Sequence, residues 1–147
     1  MNKPLCITLN IAIATICNRL FPAGFDVAET APESLSELNE SIAKRGRITV
    51  WNGASEQTVY GSTEHNFMFR AWHDWCHWKG QHEFNLAGEA AALAMQLEHL
   101  ATVYPSHPDR PTWERILTVE VLGQAVHHAV TGEFPADQVE FYHRLAA

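Results

Sequence analysis

The chain has 147 residues, of which 46% are apolar and 18% charged, and this size and composition predict a single domain, residues 1–147, with its own core. A formal net charge of -7 without any run of Lys or Arg argues against a nucleic-acid partner. No segment contains the roughly 20 consecutive apolar residues of a membrane span, so we expect a soluble protein.

The first predicted element is an amphipathic helix over about residues 5–20. The opening stretch, MNKPLCITLNIAIATICNRLF, also has the general form of a secretory signal, with one lysine before an apolar run. Its apolar residues recur at helix-face spacing, however, and polar residues such as Asn10 and Thr15 interrupt the apolar block. The pattern therefore favours a helix of the folded domain.

The three cysteines are odd in number, far apart and without C-x-x-C spacing. They are Cys6, Cys17 and Cys76. This usage is typical of buried free thiols in a reducing compartment, and we expect a cytoplasmic location.

A loop, a short helix and an extended segment are predicted next. FPAGFDVAETAP reads as the loop, and Thr30 with Glu33 has capping-box spacing ahead of a helix that should end at Gly46. RITVW and EQTVYG then flank NGAS with β-branched and aromatic residues. This pattern predicts a short β-hairpin or extended segment near residues 47–60.

The rest of the chain is predicted to be helical. Helices are expected over about 63–79 with a stop at Gly80, over 86–103, and from Pro111 to about residue 131 ahead of Gly132. Pro135 could open a short last helix. The predicted fold class is mainly α, a bundle of about six helices with one minor β element.

Polar residues on the inward faces of three helices indicate a shared interior site. In the stretch FRAWHDWCHW, apolar residues cover most of the helix, and one narrow polar strip contains Arg70, His73, Asp74 and His77. On the following helix Glu89 and Gln96 lie beside leucines. On the long helix Glu120, Gln124 and His127 form a stripe opposite the wet side, where a bare carboxylate would cost several kcal/mol.

Two imidazoles at i and i+4 can reach one divalent metal, and carboxylates from neighbouring helices could complete its ligands. The predicted ligands are His73, His77, Glu89, Glu120 and His127, a donor set that suits Zn, Fe or Mn. Gln96 and Gln124 would orient these ligands. Arg70 and Asp74 form either a surface ion pair or an anion clamp beside the metal.

Two classes of function are compatible with these residues. The first is a metal-binding protein, such as a metal-dependent hydrolase or oxidase acting on a small molecule. The second is a non-enzymatic modulator of a host protein, in which the same His and Glu residues form a metal-free buried polar network. HDWCH departs from the zinc-protease H-E-x-x-H motif, and His73-Asp74 lacks the upstream histidine of an HD-type phosphohydrolase.

The run HNFMFRAWHDWCHW followed by EFNLAGEAAALAMQ resembles a pattern in small helical proteins encoded by tailed bacteriophages, a group without an established activity. The resemblance covers residues 65–96 and implies a cytoplasmic setting in an infected cell. The matching positions are His65, Phe69, Arg70, His73, Asp74, His77, Phe84, Leu86, Gly88, Glu89 and Gln96.

Overall fold

The computed structural model describes residues 3–146, and helices account for most of them. The helices are α1 (Ile7–Leu20), α2 (Leu35–Arg45), α3 (Thr63–Gly80), α4 (Leu86–Val103), α5 (110–131) and α6 (Gln138–Ala146). The strands are β1 (Asp26–Ala28) and β2 (Thr49–Trp51). Helix α5 is continuous over 110–131 and consists of Arg110–Thr118, a π-helical turn Val119–Gly123, and Gln124–Thr131. The predicted fold class, mainly α with about six helices, is confirmed.

Helix α3 packs against both α1 and α4, and the core lies along these contacts. Trp72 and Cys76 of α3 are fully buried, and they share one apolar cluster with Leu9 and Ile13 of α1 and Leu100 of α4. Residues 7–20 therefore form a helix whose apolar face enters the core. Within residues 3–146, no helix combines the length and apolar character needed to cross a membrane.

The extended segment predicted near residues 47–60 is present as β2, but it does not form a hairpin. It pairs in parallel with β1, with Val27 opposite Val50. Parallel strands need a crossover connection, which here contains α2. Strand β1 lies in the segment predicted as a loop, because three residues are too few to show a strand periodicity.

The start of α2 differs from the prediction by one helical turn. Ser34 is the N-cap, its Oγ accepts from the backbone N–H of Glu37, and Gly46 ends the helix in the left-handed region. The predicted cap, Thr30 with Glu33, was wrong because the same polar spacing occurs twice in succession. The structure shows free thiols at all three cysteines, of which Cys17 and Cys76 are buried and Cys6 is half-buried.

The π-helical turn in α5 was not predicted, and it changes which residues share a face. A π-turn inserts one extra residue, so everything after it rotates by about 100° relative to an uninterrupted α-helix. The ring of His127 consequently packs edge-on against Phe141 of α6, with centroids 5.2 Å apart. His128 instead lies on the same side of α5 as Glu120, and both side chains line one cavity.

Gly88, in the first turn of α4, allows the preceding loop to pass very close to the helix. A Cβ atom at this position would lie 1.7 Å from the carbonyl oxygen of Glu83.

We expect Gly88→Ala to lower the free energy of unfolding by about 2 kcal/mol, because a clash with backbone outweighs the better helix propensity of alanine. Urea unfolding measures this. Ala94→Gly, at an exposed site of α4, should cost only about 1 kcal/mol, and a Gly88→Ala protein as stable as wild type would contradict the prediction.

Candidate metal centre

His73 and His77 lie one turn apart on α3, and Glu89 of α4 faces both of them. Oε2 of Glu89 is 2.7 Å from Nε2 of His73 and 3.3 Å from Nε2 of His77, and the two Nε2 atoms are 3.1 Å apart. The three residues form a group whose ligand atoms all lie within 4.8 Å of one another and could hold a metal ion. We call these residues the His/His/Glu group.

The other ring nitrogen of each histidine is held by a carbonyl oxygen. Nδ1 of His77 donates to the backbone carbonyl of His82 at 2.9 Å, and Nδ1 of His73 donates to Oε1 of Gln96 at 2.9 Å. A carbonyl oxygen only accepts, so each Nδ1 carries a proton and each neutral ring presents the lone pair of Nε2 to Glu89. Contacts of this kind fix both tautomer and ring orientation in metal-binding histidines.

The charges within the group are strongly coupled. Burial opposes ionisation of Glu89, but its contacts with Nε2 of His73 and of His77, which become hydrogen bonds when a ring carries a proton there, outweigh burial and lower the pKa of Glu89 to about 2. Burial likewise opposes protonation of His73, and the hydrogen bond and negative charge of Glu89 nevertheless raise its pKa. The group therefore attracts positive charge, whether that charge is a proton or a metal ion.

Arg70 and Asp74, predicted as an ion pair or an anion clamp, are not hydrogen-bonded to each other. The guanidinium of Arg70 donates to the carbonyls of Trp51 and Gly53, both at 2.6 Å, and to that of Ala54 at 3.3 Å. It therefore fixes the loop after β2. Asp74 is half-buried, and desolvation raises its pKa to about 6.

Glu120 and His127, the two other predicted ligands, lie outside the His/His/Glu group. The side chain of Glu120 is buried and accepts a 2.8 Å hydrogen bond from Nε2 of Gln124. Desolvation raises the pKa of Glu120 to about 8. The rotation after the π-turn directs His127 to α6, away from Glu120.

A cavity of about 710 Å³ connects the His/His/Glu group with the inward side of α5. His73 and Glu89 line it together with Glu120, Gln124 and His128. Its remaining walls are mostly apolar and include Phe84, Leu86, Val121, Ala125, Ala129 and Phe134. Polar groups from three helices therefore face one cavity, although only three of the predicted ligands lie close enough together to share an ion.

Three contributors to the site were not predicted from the sequence. His82 contributes its backbone carbonyl, which accepts from Nδ1 of His77. Every residue has such a carbonyl, so the residue types do not predict this contact. Phe84 packs against the ring of His77 with centroids 4.5 Å apart. His128 lines the cavity, whereas the sequence predicted that His127 would. Uninterrupted α-helical periodicity selects His127, and the π-turn shifts that position by one residue.

The fold and the site define a mainly helical protein with a His/His/Glu group that could bind a metal. No family model, curated protein or solved structure matches the chain.

Proposed function

We propose that the protein binds one divalent metal ion through Nε2 of His73, Nε2 of His77 and a carboxylate oxygen of Glu89. The observation that carries this proposal is the orientation of the two imidazoles. Both rings use Nδ1 to donate to a carbonyl oxygen, which turns two lone pairs and one carboxylate toward a single point.

A metal ion suits this arrangement better than a single proton does. A proton on Nε2 of His73 satisfies the 2.7 Å contact with Glu89 but leaves the lone pair of His77 facing the same carboxylate oxygen at 3.3 Å. Protonating both rings would place a second positive charge on His77, which is only 1% exposed. One divalent ion would satisfy all three atoms together.

The distances within the group support this proposal. An ion held tetrahedrally at about 2.0–2.1 Å from its ligands separates them by roughly 3.3 Å. The contacts of 3.1 and 3.3 Å are close to that value, and the 2.7 Å contact would widen on binding. Two histidines and one carboxylate are ligands of catalytic zinc and of non-haem iron, and they also accept manganese.

Three protein ligands leave coordination positions open, and the cavity beside His73 and Glu89 offers room for a substrate. With zinc, the chemistry supplied would be activation of water for hydrolysis, and with iron it would be binding of dioxygen for oxidation. We favour hydrolysis, because a buried carboxyl group such as Glu120 can serve as an acid or base in the same cavity.

The second candidate function is non-enzymatic, with a metal-free polar network that holds α3 and α4 together inside a modulator of a host protein. The observation that favours it is the 2.7 Å contact between His73 and Glu89, which forms a complete ion pair when His73 is protonated. Metal content separates the two candidates.

The test is elemental analysis of protein purified without a nickel column, before and after dialysis against a chelator. We expect about one zinc, iron or manganese per chain, and a lower melting temperature after chelation. Readdition of the metal at a hundred times its Kd should restore about 2.7 kcal/mol of stability.

His73→Ala should abolish the bound metal, and His128→Ala is the matched control. His128 lines the same cavity but lies outside the His/His/Glu group, so its variant should retain full occupancy. Metal-free protein that neither takes up zinc, iron or manganese nor changes its melting temperature on chelation would rule out the proposal.

A further inference from the structure

Glu120 and Gln124 form a hydrogen-bonded pair on the π-turn of α5, and both line the cavity beside the His/His/Glu group. The side chain of Glu120 is 8% exposed. Gln124 donates to one of its carboxyl oxygens, Oε1. Within residues 3–146, the other oxygen, Oε2, has no hydrogen-bond partner, and neither does Oε1 of Gln124. Two polar atoms in a largely apolar cavity are thus available to a ligand.

We propose that this pair is a binding subsite for a carboxamide or cyclic amide, whose carbonyl oxygen accepts from Oε2 of Glu120 and whose N–H donates to Oε1 of Gln124. This inference rests on the proposed function for the placement of the ligand beside a metal. An amide fits because its donor and acceptor are neighbours, as the two protein groups are.

The protonation of Glu120 supports the direction of these hydrogen bonds. Burial raises its pKa to about 8, while the hydrogen bond from Gln124 and the positive charge of Arg70 oppose that shift. Burial, and after it the charge of Glu120, raises the pKa of Tyr60. Near neutral pH the carboxyl group is therefore mostly protonated, so Oε2–H is a donor.

The cavity also restricts the ligand's size and charge. Its volume of about 710 Å³ is in the range of sites for small organic molecules. Aromatic and aliphatic walls from Phe84, Val121 and Phe134 suit an apolar body. A carboxylate ligand is disfavoured at this pair, because it has no N–H to donate to Oε1 of Gln124.

Benzamide is the probe, and calorimetric titration at pH 7 with chelator-treated and zinc-loaded protein is the measurement. We expect a dissociation constant of roughly 1 mM for such a small ligand. Methyl benzoate and benzoate, which both lack the N–H, should bind the chelator-treated protein at least about fivefold more weakly.

Glu120→Leu and Gln124→Leu should each weaken benzamide binding about tenfold, whereas Glu120→Gln, whose amide retains a donor and an acceptor, should bind within about threefold of wild type. Rescue by glutamine separates a contact with the ligand from a structural role of the carboxyl group. Circular dichroism shows whether each variant is folded. If one leucine variant is not, the other leucine variant and the glutamine variant are sufficient to test the amide subsite.

Zinc binding by the same variants is measured separately and should be unchanged, so loss of the amide subsite and loss of the metal site give different results. The amide proposal would be overturned if benzamide did not bind, if both folded leucine variants bound it like wild type, or if benzoate bound the chelator-treated protein as tightly as benzamide does.

Discussion

Glu89→Gln is expected to lower the affinity for zinc by at least about a hundredfold. The substitution preserves size and replaces an anionic ligand that faces both imidazoles with a neutral amide. Loss of a residue that only supports a ligand typically costs 10–100-fold in metal affinity, and loss of a ligand itself should cost more. Competition with a chromophoric chelator measures the affinity directly.

Glu98→Gln is the matched control for this experiment. Glu98 is exposed on the same helix, so its variant removes the same charge without touching the His/His/Glu group. Its zinc affinity should stay within about twofold of wild type. Equal affinities of the Glu89 and Glu98 variants would show that Glu89 is not a ligand.

The metal-free Glu89→Gln protein should also be less stable, by about 2 to 3 kcal/mol near pH 6. Glu89 has a depressed pKa, so its stabilisation is present above about pH 4.5 and is lost as the pH falls toward 2. His73 has a raised pKa, so its contribution is complete below about 6.5 and disappears as the pH rises through the folded value. Urea unfolding in the presence of chelator should show the largest difference between about pH 4.5 and 6.5.

Glu120→Gln is expected to stabilise the protein at alkaline pH. Its raised pKa means that the folded state retains a proton that the unfolded state has released, so wild-type stability falls as the pH rises from about 4.5 to 8. Moving the pKa from 4.5 to about 8 corresponds to a penalty on the order of 5 kcal/mol above pH 8. Glutamine has no proton to release and still accepts from Gln124.

Urea midpoints of wild type and Glu120→Gln at pH 5 and pH 8.5 check this prediction. The free energies of unfolding obtained from these curves should differ little at pH 5 and by several kcal/mol at pH 8.5. Glu133→Gln, at an exposed position just beyond α5, should follow wild type at both values. A stability difference between wild type and Glu120→Gln that does not change with pH would indicate that the carboxyl group of Glu120 titrates normally.

The boundaries of the helices were largely predictable from the sequence. Helix α4 begins at Leu86 and ends at Val103 as expected, and Gly46 and Gly132 end their helices in left-handed conformations. These features depend on local rules of capping and periodicity, which act within a few residues. The pairing of β1 with β2 was not predictable in the same way, since it joins three-residue segments across a helix.

The inward orientation of His73, His77, Glu89 and Glu120 was also predicted from periodicity, because residues on an apolar helix face share the core side. The distances that make three of them a group, and the carbonyl of His82 that fixes His77, depend on how α3 and α4 pack together. The position of His128 beside the cavity, where periodicity predicted His127, depends on the π-turn.

The sequence by itself determined the helices and the faces that carry polar groups, since each depends on neighbours within one or two turns. Only the tertiary structure decided which polar groups meet. Convergence on one point requires the relative placement of separate helices, and a single inserted residue in a helical turn rotates everything that follows it.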